Sequence, residues 1–293
     1  EKGFDLKHFG EILYARFHGD FGAIVDKVQI KIFTDPALHA EWLEKARDAY
    51  NYRNQRLAEM TDESVEEFYS CTLCQSFAPD HLCVVSPERL GLCGAYNWLD
   101  CKASFQINPT GPNQPIEKGR AIDSWSGIFD KVNEFVQQAS HGAIETVTMY
   151  SIMEHPMTSC GCFECIMMIL PLCNGFMVVS REDPSMTPAG MTFSTLAGMA
   201  GGGLQTPGVM GHGKYFIISK KFIRADGGLQ RIVWMSSFLK ESMAEELKEA
   251  AIRAGDPDLV DKIADERVAS TEEEVLAFLE EVGHPALAMD PLM

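Results

Sequence analysis

Six of the nine cysteines in this 293-residue chain fall into two separated groups. The first is Cys71-Thr72-Leu73-Cys74 followed by Cys83 and Cys93; the second, far downstream, is Cys160-Gly161-Cys162. Four thiols at short spacing can hold a zinc ion or an iron–sulfur cluster. A Cys-Gly-Cys tripeptide does something different. Its two thiolates and the amide nitrogens of Gly161 and Cys162 give four donors in a plane, which suits nickel(II) or copper(II) and not zinc. Glycine leaves the backbone free to bend around the ion. A chain with both groups is constrained to fold distant segments onto one compound metal centre.

Spacing alone leaves zinc and iron–sulfur both open for the first group, because each wants four thiolates. A thioredoxin-like redox pair at Cys71 and Cys74 is the weaker reading, since no βαβ pattern surrounds it. Cys162 and Cys165 also form a Cys-x-x-Cys, but the interval back to Cys74 far exceeds the roughly 15–20 residues of a zinc ribbon. Cys165 leads into an apolar run and, like Cys173, is expected in the core; Cys101 has no spacing partner and is expected to be unliganded. His81, His155 and His212 are expected at the surface or behind the ligands, not as ligands. Gly208 to Lys214 nearly spells a phosphate loop, yet Tyr215 stands where Ser or Thr is required and a strand is expected to follow, so nucleotide binding is excluded. Gly201–Gly203 and this segment read as flexible loop.

A hydrophobic fraction of 46% predicts a real core, so the cysteines are not substituting for one. Their odd number and short spacings, with no secretory leader, predict metal chemistry in a reducing cytoplasm over disulfides. The net charge of −17 excludes nucleic acid as a partner, which would need a basic face. The acidic C-terminal stretch reads as solvated surface. No membrane span is expected: the most apolar stretch, Cys165 to Val179, is broken by Pro171, Asn174 and Gly175. The chain starts Glu1-Lys2-Gly3 without Met, and the expectation is a fragment or a processed form.

Periodicity predicts a mixed α/β (α+β) domain, a mixed sheet flanked by helices with an irregular cysteine-rich segment. Strands are expected at Lys27–Phe33, Thr146–Ile152, Phe176–Val179, Tyr215–Ile218 and Arg231–Met235. Asp35-Pro36 starts a long helix ending near Met60, and a short helix capped at Thr61 or Asp62 delivers Cys71. Between Cys71 and Pro115 regular periodicity fades. Trp125 to Val136 reads as an amphipathic helix stopping near His141-Gly142. Helices over Ser237–Ala254 and Glu272–Val282 close the chain, the latter with Ser270 and Glu273 as a capping box.

The run from Cys71 through Phe77, Cys83 and Cys93 to Gly94, the Trp98-Leu99-Asp100 and Asn108-to-Asn113 stretches, and Ser159-Cys160-Gly161-Cys162-Phe163-Glu164-Cys165 resemble acetyl-CoA synthases. These are the acetyl-forming subunits of carbon monoxide dehydrogenase/acetyl-CoA synthase complexes. Phe193 to Gly198 and Gln205 to Gly208 also look like that family.

The resemblance implies a nickel–iron–sulfur A-cluster. Carried over by position, Cys71, Cys74, Cys83 and Cys93 hold a [4Fe–4S] cube, and Cys74 also bridges to a proximal nickel. Cys160 and Cys162 bridge that nickel to a distal one, which the Gly161 and Cys162 amides complete. Phe77 is a candidate apolar wall beside the proximal nickel, or an ordinary core aromatic. The activity implied is condensation of CO, a methyl group from a methylated corrinoid iron–sulfur protein, and coenzyme A. A carbon monoxide dehydrogenase subunit, which feeds CO, and ferredoxin are the implied protein partners besides. Residues 1–48 are expected to finish a preceding domain and 49–293 to form the A-cluster domain. Two other readings stay open on the cysteines themselves: an iron–sulfur electron-transfer module, and a structural zinc domain that binds partners.

Overall fold

The computed structural model describes residues 3–25, 32–161 and 163–293, the side chains of 20–25 excepted. Two N-terminal helices come first, α1 (Leu6–Val25) and α2 (Pro36–Arg56). The stretch that forms α1 carries no element assigned from sequence. The strand expected at Lys27–Phe33 lies mostly outside the described residues. Asp35 caps α2 as its sequence predicts, its carboxylate accepting from Ala37 N (2.8 Å) and Leu38 N (3.2 Å). The apolar stripe of α2 has no core beneath it: Trp42 is 45% exposed, and no residue of the helix is buried.

A 3₁₀ turn at Asp62–Ser64, boxed by Thr61, leads into strand β1 (Glu67–Cys71). The segment delivering Cys71 is therefore a strand where a helix was expected. β1 is central in a three-stranded antiparallel sheet between β2 (Cys83–Val85) and β3 (Pro115–Glu117). Helix α3 (Trp98–Ile107) interrupts the segment read as irregular; its Asn97/Asp100 capping box was there to be read. A hairpin of β4 (Ala121–Asp123) and β5 (Ile128–Phe129) precedes helix α4 (Asp130–Ala139), the amphipathic helix expected here but starting five residues later than Trp125.

Thr146–Ile152 is not a strand. Met149 N and Tyr150 N donate to Gly127 O and Ser126 O, and Thr148 Oγ1 turns back to the Glu154 and His155 carbonyls. Val147, Met149, Tyr150 and Ile152 are nonetheless buried, which is what their apolar character registered.

The second sheet has four strands in the order β8-β6-β7-β9: β6 (Cys165–Leu170), β7 (Gly175–Ser180), β8 (Val209–His212) and β9 (Ile232–Met235). β6 is antiparallel to β7 and β8, and β9 is parallel to β7. Alternation builds both faces. Met167, Phe176, Val178 and Ile232 enter one core; Ile166, Met177, Val179 and Val233 enter the other. The first core also takes Val132 and Val136 of α4 and the apolar residues of the small sheet. The second is covered by α5 (Phe193–Ala200) and α9 (Glu272–Val282) through Leu196, Val275 and Leu279. The mixed sheet flanked by helices is the fold class that the sequence predicts.

Two strand assignments move. Tyr215–Ile218 lies in a 3₁₀ turn, and the strand is the glycine-bearing Val209–His212 just upstream. The helix expected over Ser237–Ala254 breaks at Met243 into α6 (Ser237–Ser242) and α7 (Ala244–Arg253), and a short α8 (Leu259–Lys262) follows. α9 ends on left-handed Gly283 as expected, but its cap is Thr271, with Glu274 Oε2 returning to Ser270 N, one residue later than read. Among the described residues no helix is long and apolar enough to cross a membrane.

His284 fastens the C-terminal segment to β9. Its Nδ1 accepts from Ala286 N at 3.2 Å, so Nε2 carries the proton and donates to Ile232 O at 3.1 Å. The Nδ1 bond requires the neutral ring, and burial holds its pKa down to about 4 although the bond to Ile232 O favours the charged form. The unfolded chain takes up that proton near pH 6.5 and the folded one only near 4. His284 stability is therefore complete above pH 6.5 and lost as pH falls toward 4, about 3 kcal/mol in all. Urea unfolding at pH 7 and 4.5 should show this loss, and His284→Gln should flatten the profile across the same window.

Candidate metal centre

The two sheets meet where the cysteines lie. Cys71 closes β1, Cys83 opens β2, and the antiparallel register pairs them directly. The chain between them makes a 3₁₀ turn, Leu73–Ser76, that carries Cys74; the Cys74 carbonyl accepts from Phe77 N (2.9 Å) and Ala78 N (3.1 Å). Cys93 sits in a tight turn in which Gly94 N donates to Gly91 O (2.8 Å) with Gly94 left-handed at φ +71°. Its sulfur accepts from Ala95 N at 3.4 Å.

The downstream group arrives from the other sheet. Ser159 Oγ donates to Gly211 O (2.8 Å) and accepts from Gly211 N (2.9 Å), which clips the loop before β6 onto β8. The Phe163 ring lies against Gly211 so closely that a Cβ there would sit 2.3 Å from it. Just past the end of that strand, Gly213 N donates to Leu92 O (2.5 Å), and a Cβ on Gly213 would meet Cys93 O at 2.1 Å. Gly161, φ +114°, takes a bend open to glycine and rarely to other residues.

Cys71, Cys74, Cys83, Cys93 and Cys160 all line one cavity of about 70 Å³, with His81, His212, Tyr96, Phe163 and Glu164 among its other walls. One ligand atom from each of Cys74, His81 and Cys160 lies within 4.8 Å of the other two. Five of the six expected cysteine ligands thus come together across nearly ninety residues of chain. The sixth, Cys162, lies outside the described residues. Gly161 stands exposed on the adjoining loop, its carbonyl 3.4 Å from Arg181 Nη2. Phe77 is 74% exposed, which excludes the core-aromatic reading, and it is not among the walls of this cavity, so the structure does not place it beside the centre. Cys101, Cys165 and Cys173 are buried away from the cavity lining, Cys165 and Cys173 as core thiols in keeping with the sequence.

The thiols resist ionisation by themselves. Burial first, then repulsion from Cys83, pushes Cys71 up to about 12; burial also raises Cys83 and Cys93. A bound cation would reverse this, since a coordinated thiol gives up its proton. Arg89, fully enclosed with Nη1 donating to Val84 O (2.8 Å), adds a fixed positive charge that favours thiolate at Cys83. The donor set is soft, buried and clustered, which fits iron–sulfur and thiolate-held nickel.

Two histidines were undervalued by sequence. His81 is 2% exposed and His212 1% exposed, and both face the cavity. His212 donates from Nδ1 to Gly213 O at 2.9 Å, and burial holds its pKa down to about 4. His155, in contrast, is exposed. The only sequence signal for His81 is its place between Cys74 and Cys83.

Fold and site together define a mixed α/β domain with a candidate thiolate metal centre between its three-stranded and four-stranded sheets. Residues 50–293 match the model of the C-terminal family of the ACS/CODH beta subunit, and residues 1–38 match that of the CO dehydrogenase/acetyl-CoA synthase complex beta subunit. The chain belongs to the first of these, the C-terminal family of the ACS/CODH beta subunit. It is 56% identical over 293 residues to the carbon monoxide dehydrogenase/acetyl-CoA synthase subunit alpha of Moorella thermoacetica, covering 100% of this chain and 40% of that protein. Identity to the acetyl-CoA decarbonylase/synthase complex subunit beta of Methanopyrus kandleri is 44% over 287 residues, 98% of this chain and 60% of that one. A solved structure of the C-terminal domain of an acetyl-Coenzyme A synthase alpha subunit is 57% identical, covers 46% of this chain and 100% of its own, and superposes with a TM-score of 0.44. The chain spans only part of the length of the two longer relatives.

Proposed function

We propose that this chain carries the metal-centre domain of an acetyl-CoA synthase, residues 49–293, preceded by the end of another domain in residues 1–48. The observation that supports this most is the convergence of Cys71, Cys74, Cys83, Cys93 and Cys160 on one cavity. In this reading Cys71, Cys74, Cys83 and Cys93 would hold a [4Fe–4S] cube, and Cys74, Cys160, Gly161 and Cys162 would hold two nickel ions beside it. When bound, the thiolate-held nickel supplies the chemistry that joins CO to a methyl group and passes the acetyl to coenzyme A.

The protein's own part is geometry and exclusion of water. The β1–β2 pairing sets Cys71 against Cys83, β8 holds the Cys160 loop through Ser159, and Phe163 closes the cavity over Gly211. Phe77, which ends the Cys74 turn and is exposed, is open to whatever approaches that turn. The methyl donor is a corrinoid iron–sulfur protein, the CO source a carbon monoxide dehydrogenase subunit, and ferredoxin the electron partner, all in the cytoplasm. The relatives' names carry both synthase and decarbonylase, and the same residues serve either direction.

Anaerobic loading followed by metal analysis tests the assignment. The expected content is about four iron and about two nickel per chain. Iron without nickel in fully activated protein would replace this reading with an electron-transfer module. Zinc alone with the fold intact would leave a structural zinc domain.

A further inference from the structure

We propose that His81 is a positioning residue of this centre: its Nε2–H donates an N–H···S hydrogen bond to the Cys83 sulfur and raises the reduction potential of the cluster held there. The proposal rests on the cube assignment above. His81 lies in the loop between Cys74 and Cys83, its backbone N bonded to Ala78 O at 2.9 Å, and its ring is buried against the cavity. Nδ1 is 2.8 Å from Thr158 Oγ1 and Nε2 is 3.6 Å from Cys83 Sγ, within reach for a sulfur acceptor. Thr158 is itself fully buried. In the proposed tautomer the Thr158 hydroxyl donates to Nδ1, and the one remaining ring proton of the neutral imidazole sits on Nε2 and faces sulfur.

The contact also joins the two cysteine groups. Thr158 stands two residues before Cys160, and the same ring lies within 4.8 Å of the Cys74 and Cys160 sulfurs. A donor at a cluster sulfur stabilises the reduced, more negative state over the oxidised one, so it raises the potential. Cys93 draws its N–H from the backbone of Ala95, which no side-chain substitution removes. Cys83 has a backbone donor at Leu92 as well, but its second donor is a side chain, and that bond can be tested.

The experiment uses the whole chain loaded anaerobically with iron and nickel. Wild type, His81→Phe and Thr158→Val are compared for iron content and for cluster midpoint potential. ¹⁵N-histidine-labelled protein, reduced and treated with CO, is examined by pulsed electron paramagnetic resonance. The expected result is a weak ¹⁵N coupling in wild type that His81→Phe removes. The midpoint should shift to more negative potential in His81→Phe, and by less in Thr158→Val, at equal iron content. Unchanged midpoints, absence of ¹⁵N coupling, or a coupling strong enough for direct metal–imidazole bonding would each overturn the proposal. If His81→Phe fails to load, the Thr158→Val potential and the labelled wild-type spectrum decide. Wild type that binds no iron would overturn the cube assignment and this role together; loaded wild type with no coupling would overturn this role alone.

Discussion

Replacing Cys160 by Ser is expected to reduce acetyl-CoA formation to background while the iron–sulfur absorption stays largely intact. The asymmetry follows from where the sulfurs are anchored. Cys71, Cys74, Cys83 and Cys93 belong to the small sheet and its turns, which the substitution leaves alone. Cys160 belongs to the loop clipped to β8, so its loss removes a nickel ligand and no iron ligand in the proposed assignment. Cys165→Ser is the matched control. It lies five residues on, fully buried, paired with Ser180 and His212 in the sheet, and burial pushes its thiol up to about 12. It should keep both metals and the activity, at a modest cost in stability from burying a hydroxyl. Anaerobic assay with parallel nickel and iron analysis reads all of this; nickel loss in Cys165→Ser would show the ligand assignment to be wrong.

The second large effect is structural. Lys221 Nζ, 7% exposed, lies 2.7 Å from Glu88 Oε2, 2.8 Å from Glu63 Oε1 and 3.6 Å from Asp62 Oδ2. Burial works against its charge, but the hydrogen bonds to Glu63 and Glu88 outweigh this and hold its pKa above the usual lysine value. Asp62 and Glu88 also bond each other's backbone, Asp62 N to Glu88 Oε2 at 2.8 Å and Glu88 N to Asp62 Oδ1 at 2.9 Å, and Tyr150 donates to Asp62. Lys221→Met would leave these two enclosed carboxylates without their cation. Breaking a buried pair on one side costs about 3–5 kcal/mol. Because Asp62 precedes β1 and Glu88 follows β2, the damage should spread to the strand pair that sets Cys71 against Cys83. Urea unfolding measures the loss, and a change below about 1 kcal/mol would mean that solvent screens the cluster.

The parts of the molecule legible in the sequence are those whose signal is local. β7, β9, the Asp35 cap and the Gly283 stop each announce themselves within a few residues, as does the soft chemistry of the cysteine spacing. What sequence could not supply is register. Nothing in Cys71 to Cys83 says that they face each other across two strands, because β2 is only three residues long and shows no period. β8 was missed for a related reason: Gly211 beside His212 and Gly213 looks like loop, and becomes strand by pairing with β6, with glycine at 211 because the Phe163 ring leaves no room for a Cβ. Thr146–Ile152 failed in the opposite sense. Its apolar residues are buried, but its backbone donors go to Ser126, Gly127, His155 and the side chains of Asn133 and Asp226, so burial came without a ladder. The stripe on α2 was read correctly as helix, yet pattern alone cannot supply the surface that such a stripe would cover.

β8 makes the distance between the two halves of the centre a property of one short stretch of backbone. Gly211 of β8 carries the Cys160 loop and Gly213, extended just past its end, carries the Cys93 turn, and two extended residues span about 6.6 Å. The halves are therefore gauged like marks on a ruler. Sliding the strand would displace both marks together, so the interval between them should outlast a shift of the sheet, while an insertion between Gly211 and Gly213 would change the interval itself.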